Sequence, residues 1–457
     1  MSGAQLVGII GLARSGRAAA RLALKRGHRV FASDAGDDER LRAAAEEVRA
    51  LGGEVELGGH TSGRLAACDL LVVSPGVPPM APILMNTSVR AVPRISELEF
   101  AWRELRAPVV AVTGTNGKST TTELTAHLLR ASSFDAPASG NIGTALSEIA
   151  LRAVPPDRVV VECSSFQLAD IDSFAPTVGV VTNLSPDHLD RYASVEDYYA
   201  DKARLFRNAT RDSTWVLNGE DQAVLALPGD APGTRWIFST NGSLANAEYG
   251  AWIDQAGRIT LRFDNAEHAL VSTAELRILG RHNQANALAA AAAAAAAGAS
   301  VEAVAEGLRT FGGLEHRLEL VTEHDGVLWI NDSKATNVAS TRVALRSVER
   351  PIVLLLGGRP KGESFASLID DMGSVRVVIA YGEAAPAIVH ELRGAVPVQL
   401  VDARFADVVA RARRLARPGD VILLSPACAS FDMFRDYEDR GRQFKALALA
   451  GGEALRG

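Results

Sequence analysis

The richest chemistry in the chain lies in Thr113-Gly114-Thr115-Asn116-Gly117-Lys118-Ser119-Thr120, between a β-branched run and a helical stretch. Glycines there let backbone N–H groups turn inward around phosphate oxygens. The start of the following helix adds partial positive charge, and Lys118 can reach the β- and γ-phosphates of a nucleotide. Ser119 or Thr120 can offer a hydroxyl to Mg2+. The general phosphate-loop pattern asks for glycine five residues before Gly117, where Val112 stands, so this is a shortened variant. A plain glycine turn with a surface lysine is the alternative, and the order strand, loop, helix argues against it. Further on, Glu162 follows Val159-Val160-Val161 and precedes Cys163-Ser164-Ser165-Phe166-Gln167. A carboxylate at the end of a strand beside such a loop suits a metal ligand, although it could equally cap the next helix. His188, in Asn183-Leu184-Ser185-Pro186-Asp187-His188-Leu189-Asp190, and Lys202, in Tyr198-Tyr199-Ala200-Asp201-Lys202, complete the set. Taken singly, a histidine is more often structural and a lysine is almost always solvated.

These residues need a scaffold, and the chain supplies one repeatedly. Short β-branched runs alternate with alanine- and arginine-rich stretches of helical character, the mark of α/β architecture with parallel sheets. Three blocks separate, with limits expected at residues 1–105, 106–312 and 313–457. In the first, strands are expected at Leu6–Ile10, Arg29–Ala32 and Asp69–Val73, with helices over Gly16–Arg26 and Ile95–Leu105. In the second they are expected at Val109–Thr113, Val159–Val161 and Val178–Thr182, then less regularly at Trp215–Leu217, Trp236–Phe238 and Ile259–Phe263. The third offers Val327–Ile330, Ile352–Leu356, Val377–Ala380 and Val421–Leu424. The alanine tract Ala287–Ala297 is too short and too weakly apolar for a membrane span and reads as a closely packed helix.

A length of 457 residues implies several domains. A net charge of -6 lacks the basic face that nucleic acid demands, so no such partner is expected, while phosphorylated small molecules remain open. Cys68, Cys163 and Cys428 lie far apart without metal-type spacing, which fits a reducing compartment. No signal peptide precedes Leu6-Val7-Gly8-Ile9-Ile10, so the expected location is the cytoplasm, with no membrane partner.

The order GTNGKST, ECSSFQL and NLSPDHLDR, with a lysine fourteen residues after its histidine, resembles the Mur ligases, which join amino acids to carboxylates using ATP. Three further stretches carry the likeness into the third block: Trp329–Asn337, Leu356–Gly362 and Leu424–Asp432. They resemble the branch of the family that adds D-glutamate to UDP-N-acetylmuramoyl-L-alanine in peptidoglycan synthesis. The resemblance implies a Rossmann-like N-terminal domain for the UDP substrate, a central P-loop ATPase domain with a parallel sheet, and a C-terminal Rossmann-like α/β domain for the amino acid. It implies ATP as co-substrate, two Mg2+ ions and a monomer.

Residue by residue, the resemblance places Gly114, Thr115, Asn116, Gly117, Lys118, Ser119 and Thr120 on the ATP phosphates. Ser119 and Glu162 would hold one Mg2+ and His188 the second, with Lys202 carbamylated so that a cation becomes an anionic oxygen ligand. Lys118, Glu162, His188 and Lys202 form the catalytic set. Asn283 and Asn286 match positions that meet adenine, and Arg317, His324, Asp332 and Lys334 face ATP from the third domain. Thr336, Lys361, Ser430 and Phe431 would receive glutamate. Asn141 would lie near the phosphates and the muramoyl group, with Arg14, Ser15, Asp34, Ser74 and Gly76 completing the UDP-substrate site.

Two departures stand out. Gly8-Ile9-Ile10-Gly11-Leu12-Ala13-Arg14-Ser15-Gly16 is a weak dinucleotide-type turn, because its middle glycine is replaced by Ala13. Asp34 there could accept hydrogen bonds from uracil or ribose, or simply form a turn. Phe431 and Tyr437 stand where leucine and phenylalanine are expected. Among alternatives, a regulatory P-loop switch leaves the third-block stretches unexplained, and its Asn-Lys-x-Asp element is missing at Asn183-Leu184-Ser185-Pro186. A nicotinamide dehydrogenase would rest on the first loop alone. A relative with a different amino-acid acceptor is the nearest rival.

Overall fold

The computed structural model describes residues 3–188, 191–242 and 247–453, so Leu189 and Asp190 of the histidine motif lie outside the described residues. By compactness the chain forms two units, Met1–Ala274 with Ala285–Leu308, and Glu275–Gln284 with Arg309–Gly457. The first unit carries two sheets and the second carries one.

The first sheet has five parallel strands in the order Glu54–Leu57, Arg29–Asp34, Leu6–Ile10, Leu70–Val73, Arg94–Ser96. Its strand order reverses at Leu6–Ile10, which leaves a crevice beyond the carboxyl ends of the central strands, where doubly wound folds bind ligands. The expected helix near Ile95 resolves into the short strand Arg94–Ser96 followed by a helix over Glu97–Glu104. Ser96 caps that helix by accepting from the Glu99 N–H, which explains the switch from strand to helix at this serine.

The second sheet has nine strands. Its parallel core runs Thr234–Ser239, Thr214–Asn218, Val178–Val181, Val109–Thr113, Val159–Glu162, Ala138–Gly140. Every residue of Val109–Thr113 and Val159–Glu162 is buried. A parallel strand covered on both faces needs such a continuous apolar run, which is why these were the clearest strands in the sequence. At one edge Tyr249–Ile253 pairs parallel to Thr234–Ser239, and Arg258–Phe263 and Ala266–Ser272 then continue antiparallel. Most of the alanine tract lies in the helix Arg281–Ala296, and Ala287–Ala294 are fully buried. Side chains this small let elements approach closely, as the tract's composition suggested. Among the described residues no helix is long and apolar enough to cross a membrane.

The sheet of the second unit runs Glu319–His324, Val327–Asn331, Val421–Leu424, Ile352–Gly357, Val375–Tyr381, Val398–Leu400. Only its first strand is antiparallel. The loops after Asn331, Gly357 and Leu424 leave the carboxyl ends of neighbouring parallel strands, so the three motif stretches of the third block emerge side by side.

Candidate active site

Strand Val109–Thr113 delivers the chain into the glycine loop, and the helix Lys118–Ala131 starts at Lys118 itself. Gly114 (φ +139°) and Gly117 (φ +81°) hold backbone conformations that an L side chain rarely adopts. A Cβ at either would overlap a neighbour, Thr182 Oγ1 at the first and Asn286 Oδ1 at the second. The loop is braced by residues after strand Val178–Val181. Thr115 N donates to Asn183 O (2.8 Å), Asn116 N donates to Asn183 Oδ1 (2.9 Å), and Thr182 Oγ1 donates to Asn116 O (2.6 Å). Asn183 thus acts through the loop backbone, and its place in the motif is explained. Lys118 folds over the loop and donates to Thr115 O (2.7 Å) and Gly114 O (3.1 Å). Ser119 is half-buried and Thr120 is buried in the same turn.

Glu162 is the last residue of its strand, beside Val112 in register, and only 2% exposed. Its Oε1 accepts from Asn141 Nδ2 (2.8 Å), while Oε2 is buried without a hydrogen-bond partner. A buried carboxylate oxygen left unpaired is costly, and a cation is the natural complement. Lys202, on the helix Val195–Ala203, is 1% exposed and donates to Gly114 O (2.7 Å). Burial, helped by the charge of Lys118, pushes its ammonium down to about 7. It is therefore not a solvated lysine, and a large neutral-amine fraction is present near neutral pH. His188 has φ +54° and sets its ring 5.3 Å from that of Phe166.

A cavity of about 330 Å³ gathers these groups. Lys118, Asn141, His188 and Lys202 line it together with Gly76, and so do Ser164, Phe166 and Arg191. Glu162 reaches it through Asn141. Among the described residues no cluster of three or more His, Cys, Asp or Glu side chains could hold a metal. A metal here would therefore lean on Glu162, His188, the Ser119 hydroxyl and an oxygen added to Lys202. The orphaned Glu162 oxygen and the readily neutral Lys202 fit that requirement.

On the N-terminal sheet, Ser15 lies in the first turn of the helix Arg14–Lys25, and Ser74 Oγ donates to Gly11 O (2.7 Å). Arg14 donates to Asn141 O (3.3 Å), linking this loop to the cavity. Asp34 accepts from Leu12 N (2.6 Å) and Gly36 N (2.8 Å). The carboxylate thus serves as a turn former, with further lone pairs open to a ligand. Asn286 accepts from Thr121 Oγ1 (3.4 Å) against the phosphate loop.

In the second unit, Asn283 Nδ2 donates to Leu279 O (2.8 Å). Asp332 is buried, accepts from Ser425 Oγ (2.7 Å) and Leu318 N (3.2 Å), and is pushed up to about 7 by burial. Arg317 is exposed, His324 ends its strand beside Asp325, and Lys334 Nζ stands 5.9 Å from the Tyr437 ring. Lys361 donates to Thr336 Oγ1 (3.2 Å), bringing two of the glutamate-assigned residues together. Ser430 is buried and Phe431 is 62% exposed, so the loop presents a bare ring to solvent.

Sequence reasoning missed Arg440, which is fully buried. It donates to Ser333 Oγ (2.9 Å) and Ser333 O (2.8 Å), and to Cys428 O through both terminal nitrogens (3.2 and 3.1 Å). One side chain thereby ties the Asn331–Asn337 loop to the Leu424–Asp432 loop. It sits in a run of alternating charges, Arg435–Arg442, that reads as a solvated face, so no local signal marked it. Arg191 was also passed over, although it lines the cavity and lies three residues after His188.

Residues 112–294 match the Mur ligase middle domain, and residues 316–428 match the Mur ligase, glutamate ligase domain. The chain is 42% identical over 451 residues to the UDP-N-acetylmuramoylalanine--D-glutamate ligase of Salinibacter ruber, covering 96% of each chain. It is 43% identical over 460 residues to the protein of that name from Anaeromyxobacter dehalogenans, covering 97% of each. In fold it is similar to UDP-N-acetylmuramate-alanine ligase MurC from Thermotoga maritima (TM-score 0.58, 19% identity, 98% of this chain and 100% of that one). It is similarly close to MurF from Acinetobacter baumannii (TM-score 0.59, 15% identity, 96% and 92%). The chain belongs to the Mur ligase family.

Proposed function

We propose that the chain adds D-glutamate to UDP-N-acetylmuramoyl-L-alanine at the expense of ATP, a cytoplasmic step of peptidoglycan synthesis. Identity above 40% along nearly the whole chain to ligases of that name supports the substrate pair. The observation that carries the chemistry is the buried Lys202 donating to the phosphate loop at Gly114, in a cavity shared with Lys118, His188 and Asn141. A nucleotide switch has no use for a second buried amine at that place. The family likeness suits a cytoplasmic enzyme and a monomer.

A free carboxylate is a poor electrophile, because its charge repels an amine and oxide cannot leave. The γ-phosphoryl group of ATP therefore passes to the lactoyl-alanine carboxylate, giving an acyl phosphate and ADP. The loop N–H groups and Lys118 hold the phosphates and neutralise charge on the transferring group. Ser119, Glu162, His188 and carbamylated Lys202 are the residues that would hold Mg2+, which when bound supplies further charge neutralisation to the phosphates. The glutamate amine, deprotonated, attacks the acyl carbon, and the tetrahedral adduct collapses to the amide and inorganic phosphate. Thr336, Lys361 and Ser430 are the side chains proposed to bind the glutamate carboxylates. Arg14, Ser15, Asp34, Ser74 and Gly76 are proposed for the UDP moiety.

Labelling the alanine carboxylate with heavy oxygen tests the order of steps. One labelled oxygen should appear in the released phosphate and the other in the amide carbonyl, and release of the departing label as water, with unlabelled phosphate, would rule out the acyl phosphate.

A further inference from the structure

The cavity has two walls that come from different sheets. Pro75 and Gly76 follow strand Leu70–Val73 of the first sheet, whereas Lys118, Ser164, Ser165, Phe166 and Lys202 belong to the second. Something must hold these walls at a fixed spacing, because a substrate whose two ends lie on different walls reacts only when both are in register.

The helix Glu97–Glu104 is the joint. Glu99 is fully buried, and its carboxylate accepts from Ser173 Oγ (2.6 Å), Phe174 N (2.8 Å), Asp172 N (3.1 Å) and Ser173 N (3.1 Å). Arg103, one turn along, donates to it (2.7 Å) and also reaches Asp172 (3.0 Å). Burial opposes ionisation of Glu99, but these donors outweigh it and hold the carboxyl below the usual range. Glu97, equally buried, accepts from Ser147 N (2.7 Å), and Ser96 N donates to Asp170 O (2.8 Å).

Both ends of this joint lead to the cavity. The helix continues from strand Arg94–Ser96, which pairs with Leu70–Val73 so that Ser96 lies beside Val73, directly before Ser74-Pro75-Gly76. The loop Asp172–Phe174 follows the helix Ser165–Ala169, whose first residues line the opposite wall. We infer that Glu99 is a positioning residue: its carboxylate clamps the Asp172–Phe174 backbone and so fixes the Ser74–Gly76 wall against the Ser164–Phe166 wall for the muramoyl substrate. The inference rests on the functional reading above for the identity of that substrate.

The test uses the full-length protein with Glu99→Gln, which keeps the size of the side chain but halves its accepting oxygens, and with Ser173→Ala as a gentler break. KM for UDP-N-acetylmuramoyl-L-alanine should rise about tenfold or more in Glu99→Gln, and less in Ser173→Ala, in the way that slight misplacement penalises a two-ended substrate. Calorimetric affinity for ATP and KM for D-glutamate should stay within about twofold, because neither site lies across this joint. Hydrogen exchange, which needs no substrate, should show residues 164–174 losing protection in both variants while the remaining sheet amides keep theirs. Unchanged muramoyl KM, unchanged exchange at 164–174, or a parallel fall in ATP affinity would overturn the positioning role. Should Glu99→Gln fail to fold, Ser173→Ala decides by the same readouts. Wild-type protein indifferent to the muramoyl nucleotide would instead contradict the functional reading, and the exchange result would still decide the clamp.

Discussion

Gly114→Ala offers a sharp test of the phosphate loop. At φ +139° an alanine is strained, and its Cβ would overlap Thr182 Oγ1 and stand 3.1 Å from Asn183 O and Thr182 N. Thr182 is not free to yield, since its hydroxyl donates to Asn116 O. Holding a non-glycine residue in such a region costs about 1–3 kcal/mol. Displacing the Thr182 hydroxyl forfeits about 1 kcal/mol of hydrogen bonding. If the loop keeps its nucleotide-binding shape only by absorbing this, ATP affinity should fall by about 2–4 kcal/mol, roughly 30-fold to nearly a thousandfold. Titration calorimetry with ATP and Mg2+ measures it, with circular dichroism confirming the fold. Thr182→Ala should by itself cost only the roughly 1 kcal/mol of its hydrogen bond. In combination with Gly114→Ala it should nevertheless restore part of the lost affinity, because the severe overlap with the hydroxyl is gone and the backbone strain and the 3.1 Å backbone contacts remain. Gly114→Ala binding within about twofold of wild type, or strict additivity of the pair, would refute the reasoning.

Four further outcomes follow from the same geometry. Lys202→Ala should lower kcat by about a hundredfold or more, as loss of a group acting on the transferring phosphoryl does. Activity of the wild type should also fall on removal of carbon dioxide and return with bicarbonate, whereas indifference to carbon dioxide would count against a carbamate. Asp332, raised to about 7 from 3.8, holds a proton in the folded state that the unfolded chain has lost between those values. Stability contributed by this group is therefore full below about 4 and declines as pH rises to about 7. Denaturant titrations of Asp332→Asn across that window should show the decline flattened, and an unchanged slope would disprove it. Arg440→Met leaves the Cys428 carbonyl without its donors, at about 1–3 kcal/mol for such an unsatisfied group. It should raise KM for glutamate more than KM for the muramoyl substrate, and equal effects on both would argue against its tying the two loops.

The parts legible in the sequence were those with local signatures. Val109–Thr113 and Val421–Leu424 match their expected limits because buried parallel strands are uniformly apolar. The edge strands Ala266–Ser272 and Val398–Leu400 were missed because half-exposed edges mix polar and apolar residues. Lys118, His188 and Lys202 could be named from motif order, and the structure brings them to one cavity. That Lys202 is buried depends on packing from other elements, which no local pattern announces. Arg440 and Glu99 escaped notice for the same reason. Each is a charged residue in a charged helix, and its meaning comes from partners remote in the chain.

The central claim is tested most directly by phosphate release from ATP in the presence of Mg2+ and UDP-N-acetylmuramoyl-L-alanine, comparing D-glutamate, L-glutamate and no amino acid. The account predicts release that requires both the muramoyl nucleotide and D-glutamate. Release that ignores the muramoyl nucleotide, or that only another amino acid supports, would contradict it.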